Sequence, residues 1–355
     1  MTGIDHLLRK RLVICVGAGG VGKTTTSAAL ALAGALRGRR TGVITVDPAR
    51  RLKDALGLDG LSSEPHQVRV NTACFDALAL DAKRTFDALI ERFAPTPAVA
   101  ARIQANRLYQ EVSKELAGSA EYMAMEKLHE LLHTRRYQML VVDTPPGAHA
   151  NELLAAPKRL MNLLASRAAS LLQSPAALLG GASSSLSSFA LSTLLKALQR
   201  WTGIDLLRDL TDFAAGFEPM MEGFVSRAGD VQRLLRAPST AFVLVTTNDP
   251  HTIETAIEFH HELRAGGFPV AGIIANRVFT FPQLPEDSAD VAAWDEPLRG
   301  RLLRNYRELH QLAERDREAL RKLHSETKAP LLAAIPAVTV APTTLDGLER
   351  FARLL

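Results

Sequence analysis

Gly17-Ala18-Gly19-Gly20-Val21-Gly22-Lys23-Thr24, preceded by the apolar run Leu12-Val13-Ile14-Cys15-Val16, decides the fold of this 355-residue chain. The octapeptide fills the pattern GxxxxGK[ST], and its setting between a strand and the helical stretch Thr25–Leu36 is the one a phosphate loop requires. Glycines let consecutive backbone N–H groups turn inward on an anion. Lys23 then reaches the β and γ phosphates, the Thr24 hydroxyl is a Mg²⁺ ligand, and the partial positive charge of the helix N-terminus adds to the cradle. The ligands implied are a nucleoside triphosphate and Mg²⁺. The binding set is Gly17, Gly19, Gly20, Val21, Gly22, Lys23, Thr24 and Thr25, with Lys23 also acting on the chemistry.

Outward from the loop, apolar runs recur at Gly42–Val46, Gln138–Val142, Ala241–Val245, Val270–Ala275 and Pro330–Ile335. They are continuous rather than alternating, as strands buried on both faces of a parallel sheet are. Helical patterns separate them, for instance Thr25–Leu36 and Thr252–Arg264, the latter stopping at Gly266-Gly267. The rhythm predicts an α/β class protein with a doubly wound, mostly parallel sheet whose site lies at the strands' carboxyl ends. Between Ala150 and Arg236 the strand pattern disappears and Leu, Ala, Met and Ser take over at helical spacing. The domain reading is therefore residues 1–149 and 237–355 as the two parts of an ATPase domain, with a helical insertion at 150–236. Within that insertion Ala168–Leu195 carries no charge. It reads either as core-packing segments or as an apolar surface for a protein client.

Composition narrows the class. A chain with 47% hydrophobic residues can bury a large core. The charged Met1–Lys10 stretch lacks the apolar region of a signal peptide, and nowhere do about 18 consecutive apolar residues occur, so a cytoplasmic protein without membrane insertion is expected. Its two cysteines, Cys15 and Cys74, make neither a disulfide framework nor a Cys-x-x-Cys metal pair. The formal charge is +4, and residues 299–322 alone hold eight basic against four acidic side chains. With Leu302, Tyr306, Leu309, Ala313 and Leu320 at helical spacing, that segment reads as an amphipathic helix with a solvated face rather than a nucleic-acid surface. The C-terminal Leu345, Leu348, Phe351, Ala352 and Leu355 predict a helix docked on the core.

The remaining candidates sit where strands end. Asp47, in Thr45-Val46-Asp47-Pro48-Ala49-Arg50-Arg51-Leu52, can orient the attacking water, although Asp before Pro is also a helix N-cap pairing. Asp143 closes the run Met139–Asp143, the position from which a carboxylate serves Mg²⁺. On the turn that follows, His149 is either a general base or a hydrogen-bonding strut. Asn276-Arg277 ends another strand, and an Asn amide suits adenine's N6 and N7.

Gly-Gly-Val-Gly-Lys-Thr-Thr-Thr at 19–26, Asp47-Pro48-Ala49, Asp143-Thr144 through His149, and Asn276 together resemble the ArsA-like family. That family contains the arsenite-pump ATPase and an ATPase that targets tail-anchored membrane proteins, and it is related to the partition ATPases ParA and MinD. The resemblance runs from Leu12 to the Pro330–Pro336 segment and implies Mg²⁺-ATP hydrolysis between two ATPase units, coupled to handling a client. A single phosphate loop then implies a homodimer, and Ile335-Pro336-Ala337 the adenine loop, with Pro336 on the base. Three departures matter. The family's signature lysine is Ala18 here, with Arg50 or Arg51 as substitutes. A zinc-binding cysteine pair is absent. Two cysteines also fall short of the several thiolates that arsenite capture needs. Two other classes stay open on sequence, a P-loop kinase and a nucleotide-switched partition or surface-binding module of the ParA/MinD type.

Overall fold

The structure is a computed structural model that describes residues 3–46, 51–106, 120–145, 220, 223, 226–279, 295–337 and 344–355. Packing divides the chain into two units, one of Met1–Ala79, Arg135–Ala150 and Leu234–Leu355, the other of Leu80–Thr134 and Asn151–Arg233.

In the first unit α1 (Gly3–Leu7) leads into β1 (Leu12–Val16), α2 (Lys23–Leu36), β2 (Thr41–Thr45) and α3 (Arg51–Ala55). A hairpin of β3 (His66–Val70) and β4 (Ala73–Ala79) follows. The second unit contributes α4 (Ala82–Phe93), α5 (Pro97–Ala105) and α6 (Ala120–His133). Returning to the first, the chain adds β5 (Met139–Asp143), β6 (Thr240–Thr246), α7 (Pro250–Ala265), β7 (Val270–Val278), α8 (Glu296–Thr327), β8 (Leu331–Pro336) and α9 (Leu345–Arg353).

The eight strands form one sheet in the order β3-β4-β2-β5-β1-β6-β7-β8, parallel except for β3 against β4. After β1 the chain builds one side of the sheet with β2, β4 and β5, then crosses to build the other with β6, β7 and β8. The loop after β1 therefore leaves the sheet at its switch point, between β5 and β6, where doubly wound sheets open a crevice.

Every residue of β1, β2, β5 and β6 is buried, which is why their sequences run apolar without alternation. On one face Val13, Cys15, Val43, Val141, Val243 and Val245 join the alanine-rich α2 in a single core. Alanines at 28, 29, 31 and 33 carry no bulk beyond Cβ, so the helix sits close on the sheet it must reach with its first turn. The C-terminal helix docks on this core, α9 packing against α2 and β3 through Leu348, Phe351 and Ala352, with Thr344 Oγ1 accepting from Gly347 N at 3.1 Å as its cap.

Six strands stand where the apolar runs predict them. The β3–β4 hairpin does not appear in the sequence reading, because β3 is half-exposed, burying only Val68 and Val70. Its turn is marked by Asn71, whose φ of 50° is left-handed. The helix predicted over 299–322 lies within α8, but its apolar stripe is buried only in the second half, at Ala313 and Leu323, while Leu302 stands 40% exposed.

The second unit has its own core of Phe86, Leu89, Ile90, Ala100, Ile103, Met123, Met220 and Ala228. Inside it Arg227 pairs with Glu126 at 2.9 Å and lies 3.9 Å over the Phe93 ring. The boundaries at Leu80 and Thr134 fall inside the 1–149 segment of the sequence reading, since helices inserted after a strand have the same periodicity as a crossover helix. Most of the 150–236 insertion, including Ala168–Leu195, lies outside the described residues. Among the described residues no helix is long and apolar enough to cross a membrane.

Candidate functional site

Three strand ends meet at one level. Asp143 at the end of β5 is in register with Cys15 on β1 and with Thr45 on β2. Neighbouring parallel strands in register present such residues to the same face, here the face covered by α2. The helix begins there, so its second residue meets the carboxylate: Thr24 Oγ1 donates to Asp143 Oδ2 at 2.8 Å, and Thr45 Oγ1 donates to the same oxygen at 2.9 Å. Asp143 is fully buried. A buried carboxylate stays charged only with such donors around it.

The loop between β1 and α2 takes its path from its glycines. Gly17 has φ 153°, and a Cβ there would lie 2.1 Å from the Val245 carbonyl oxygen. Gly22, with φ 92°, caps α2 without any side-chain hydrogen bond, so the first-turn N–H groups of the helix have no side-chain acceptor at the cap. Lys23 is buried, its Nζ donating to Gly17 O at 3.1 Å and Ala18 O at 2.8 Å. The ammonium thus braces the loop from within.

A cleft of about 250 Å³ opens over this arrangement, lined by Gly20, Gly22, Lys23, Thr24, Thr25, Arg51, Ala55 and Thr144. Among the described residues that line it, Lys23 and Arg51 are the cations. Beneath the loop, Thr144 Oγ1 donates to Cys15 O at 2.8 Å, and burial pushes the Cys15 thiol up to about 12. That thiol is protonated at neutral pH.

Lys23, Thr24 and Asp143 are brought together, and Asn276 reaches the same loop from β7, its Nδ2 donating to Val21 O at 2.9 Å. Arg277, exposed, and Pro336, paired with Val278, lie at the ends of β7 and β8 and do not line the cleft. Asp47, Arg50 and His149 lie outside the described residues. Sequence reasoning missed Thr45. Its signal was a hydroxyl at the end of an otherwise apolar buried run, immediately before the segment containing Asp47.

The donor set fits Mg²⁺. A hydroxyl and a carboxylate oxygen 2.8 Å apart, at the floor of a cleft, are the hard oxygen ligands a small divalent cation takes alongside phosphate. Softer metals have no thiol or histidine cluster to bind among the described residues.

Comparison with known proteins agrees with this geometry. The model of the anion-transporting ATPase family matches residues 10–302. The ATPase ASNA1 homolog 1 of Paramecium tetraurelia is 33% identical over 142 residues, 40% of this chain and 42% of that protein. The ATPase GET3 of Malassezia globosa is 29% identical over 153 residues, 43% of this chain and 44% of that one. A Prosthecochloris vibrioformis protein named for an arsenical pump-driving ATPase is 30% identical over 158 residues, 42% and 36%. The chain spans less than half the length of each of these relatives.

Proposed function

Since the chain belongs to the anion-transporting ATPase family, we propose that it binds Mg²⁺-ATP in the cleft over Gly17–Thr25 and hydrolyses it. The observation that carries this reading is the 2.8 Å contact of Thr24 Oγ1 with the buried Asp143 carboxylate beneath a complete phosphate loop. Loop N–H groups and Lys23 hold the phosphates. Thr24 and Asp143 hold the metal, which when bound neutralises charge building on the phosphoryl oxygens. Asp47 orients the water, and its substitution acts on the chemical step alone. Arg51, on the cleft wall, adds a second cation in a chain whose loop has Ala18 where the family resemblance puts a lysine.

The same reading extends to a cytoplasmic homodimer in which each chain brings one loop, with ATP turnover coupled to a protein client at the helical unit. Asn276, Arg277 and Pro336 would serve the adenine. Phosphate release by the purified protein with Mg²⁺-ATP tests the core of it. Lys23→Ala should weaken nucleotide binding, and Asp47→Asn should bind ATP normally while turnover falls. ADP formed only with an added acceptor metabolite, with the phosphoryl group recovered on that acceptor and no free phosphate released, would make the protein a kinase instead. Salt-sensitive binding to nucleic acid or lipid without turnover would make it a switch. Sedimentation with and without ATP tests the dimer.

A further inference from the structure

Asn276 does more than stand at the strand end where a base would lie. It is 6% exposed, and both ends of its amide are engaged: Nδ2 donates to Val21 O at 2.9 Å, and Oδ1 accepts from Arg277 N at 3.0 Å. The strand breaks step here: the pairing of β7 with β8 shifts register between Ala275 and Val278, and Arg277 has a left-handed φ of 58°. The strand end is itself fixed, Phe279 N donating to Asp316 Oδ2 at 2.7 Å and Ala337 N to Val278 O at 3.0 Å. The amide packs so closely on the loop that a Cβ on Gly22 would lie 2.2 Å from Asn276 Nδ2.

We infer that Asn276 is a positioning residue for the phosphate loop, acting through the Val21–Gly22 peptide. The peptide group is planar and trans, so its carbonyl and its N–H point in opposite directions. A donor that holds Val21 O on one side thereby fixes the direction of the Gly22 N–H on the other. That N–H belongs to a residue lining the cleft and is one of the donors the loop offers an anion. The strut joins residues 255 apart in sequence and ties the loop after β1 to the end of β7. It makes the shape of the phosphate site depend on the strand end at which the base would lie.

The inference rests on the ATPase reading for its ligand, but its geometry can be tested without one. In nucleotide-free protein, hydrogen exchange of the amides in 19–24 should be about tenfold faster in Asn276→Ala than in the wild type, with β6 unchanged. Tenfold corresponds to about 1.4 kcal/mol, within the range for a buried carbonyl losing its donor. Loop exchange equal to that of the wild type overturns the strut. The second measurement is calorimetric titration of the wild type, Asn276→Ala and Asn276→Asp with Mg²⁺-ATP, Mg²⁺-GTP and Mg²⁺-tripolyphosphate, which has no base. A strut predicts a loss of about tenfold for tripolyphosphate as well as for the nucleotides, and a larger one in Asn276→Asp, where an acceptor faces the Val21 carbonyl. Weakened ATP with unchanged tripolyphosphate overturns the inference and makes Asn276 a base reader. A wild type that binds none of the three overturns the ATPase reading, and the exchange experiment still decides the strut.

Discussion

Thr45→Val is the sharpest probe of the metal site, because it changes no proposed ligand. Valine keeps the β-branched shape that the fully buried end of β2 requires and deletes only the hydroxyl that donates to Asp143 Oδ2 at 2.9 Å. A hydrogen bond to a charged group contributes about 1.5–3 kcal/mol, and solvent cannot replace it where both partners are at most 1% exposed. Part of that loss falls on stability and part on the carboxylate's alignment with Thr24. Removing a group that orients a metal ligand typically weakens the metal about 10- to 100-fold, about 1.4–2.7 kcal/mol, and because part of the hydrogen-bond loss falls on stability the lower figure is the one expected. The assay is ATP turnover against free Mg²⁺. Thr45→Val should shift the half-activating concentration up about tenfold and recover most of the wild-type rate at saturation, whereas Thr24→Val should not recover. A Thr45→Val titration that overlays the wild type, with nucleotide binding intact, would refute the view that Thr45 aligns Asp143 for a metal.

Gly17→Ala should lower ATP affinity about 10- to 100-fold, read by titration calorimetry, because the new Cβ would sit 2.1 Å from the Val245 carbonyl at a left-handed φ and the loop must move; strain of that kind is about 1–3 kcal/mol. Ellman titration at pH 8 should find one thiol per native chain, the exposed Cys74, and two in denaturant, since Cys15 is fully buried with its thiol raised to about 12. For the same reason Cys15 makes stability fall as pH rises from about 9, where the unfolded thiol ionises, towards 12, where the folded one does; in urea titrations over that window the wild type should lose stability faster than Cys15→Ala. Arg51→Ala should reduce kcat by about a hundredfold or more with little change in ATP affinity, as removal of a cation aligned on the transferring phosphoryl group does, and equal losses in both would make Arg51 a binding residue only.

What the sequence makes legible is whatever burial or covalent spacing dictates locally. The loop is readable because phosphate binding needs Gly17, Gly22, Lys23 and Thr24 at fixed offsets along one short segment. The four fully buried parallel strands β1, β2, β5 and β6 are readable because a strand covered on both faces must be apolar throughout. Neither argument reaches β3, whose His66-Gln67-Val68-Arg69-Val70 buries only two side chains and owes its place to pairing with β4. Nor does either reach the division at Leu80 and Thr134, because packing partners, not periodicity, decide which core a helix joins.

The same limit explains the two site residues whose partners the sequence leaves hidden. Thr45 joins Asp143 only because β2 and β5 pair in a register that sets them side by side, and a one-residue slip would turn the hydroxyl to the opposite face. Asn276 suggests a base contact when read alone at a strand end. Its bond to Val21 O depends on a bulge in β7 and on the position of β7 two strands from β1, properties of the assembled sheet that no window of sequence contains. In both cases the local chemistry was visible, a hydroxyl and an amide at strand ends, and the partner was not. The phosphate loop is therefore the part of the site that sequence specifies, while its alignment is held from other strands: by β2 and β5 through Thr45 and Asp143, and by β7 through Asn276. Substitutions at those outlying residues should perturb nucleotide chemistry while leaving the eight-residue signature untouched.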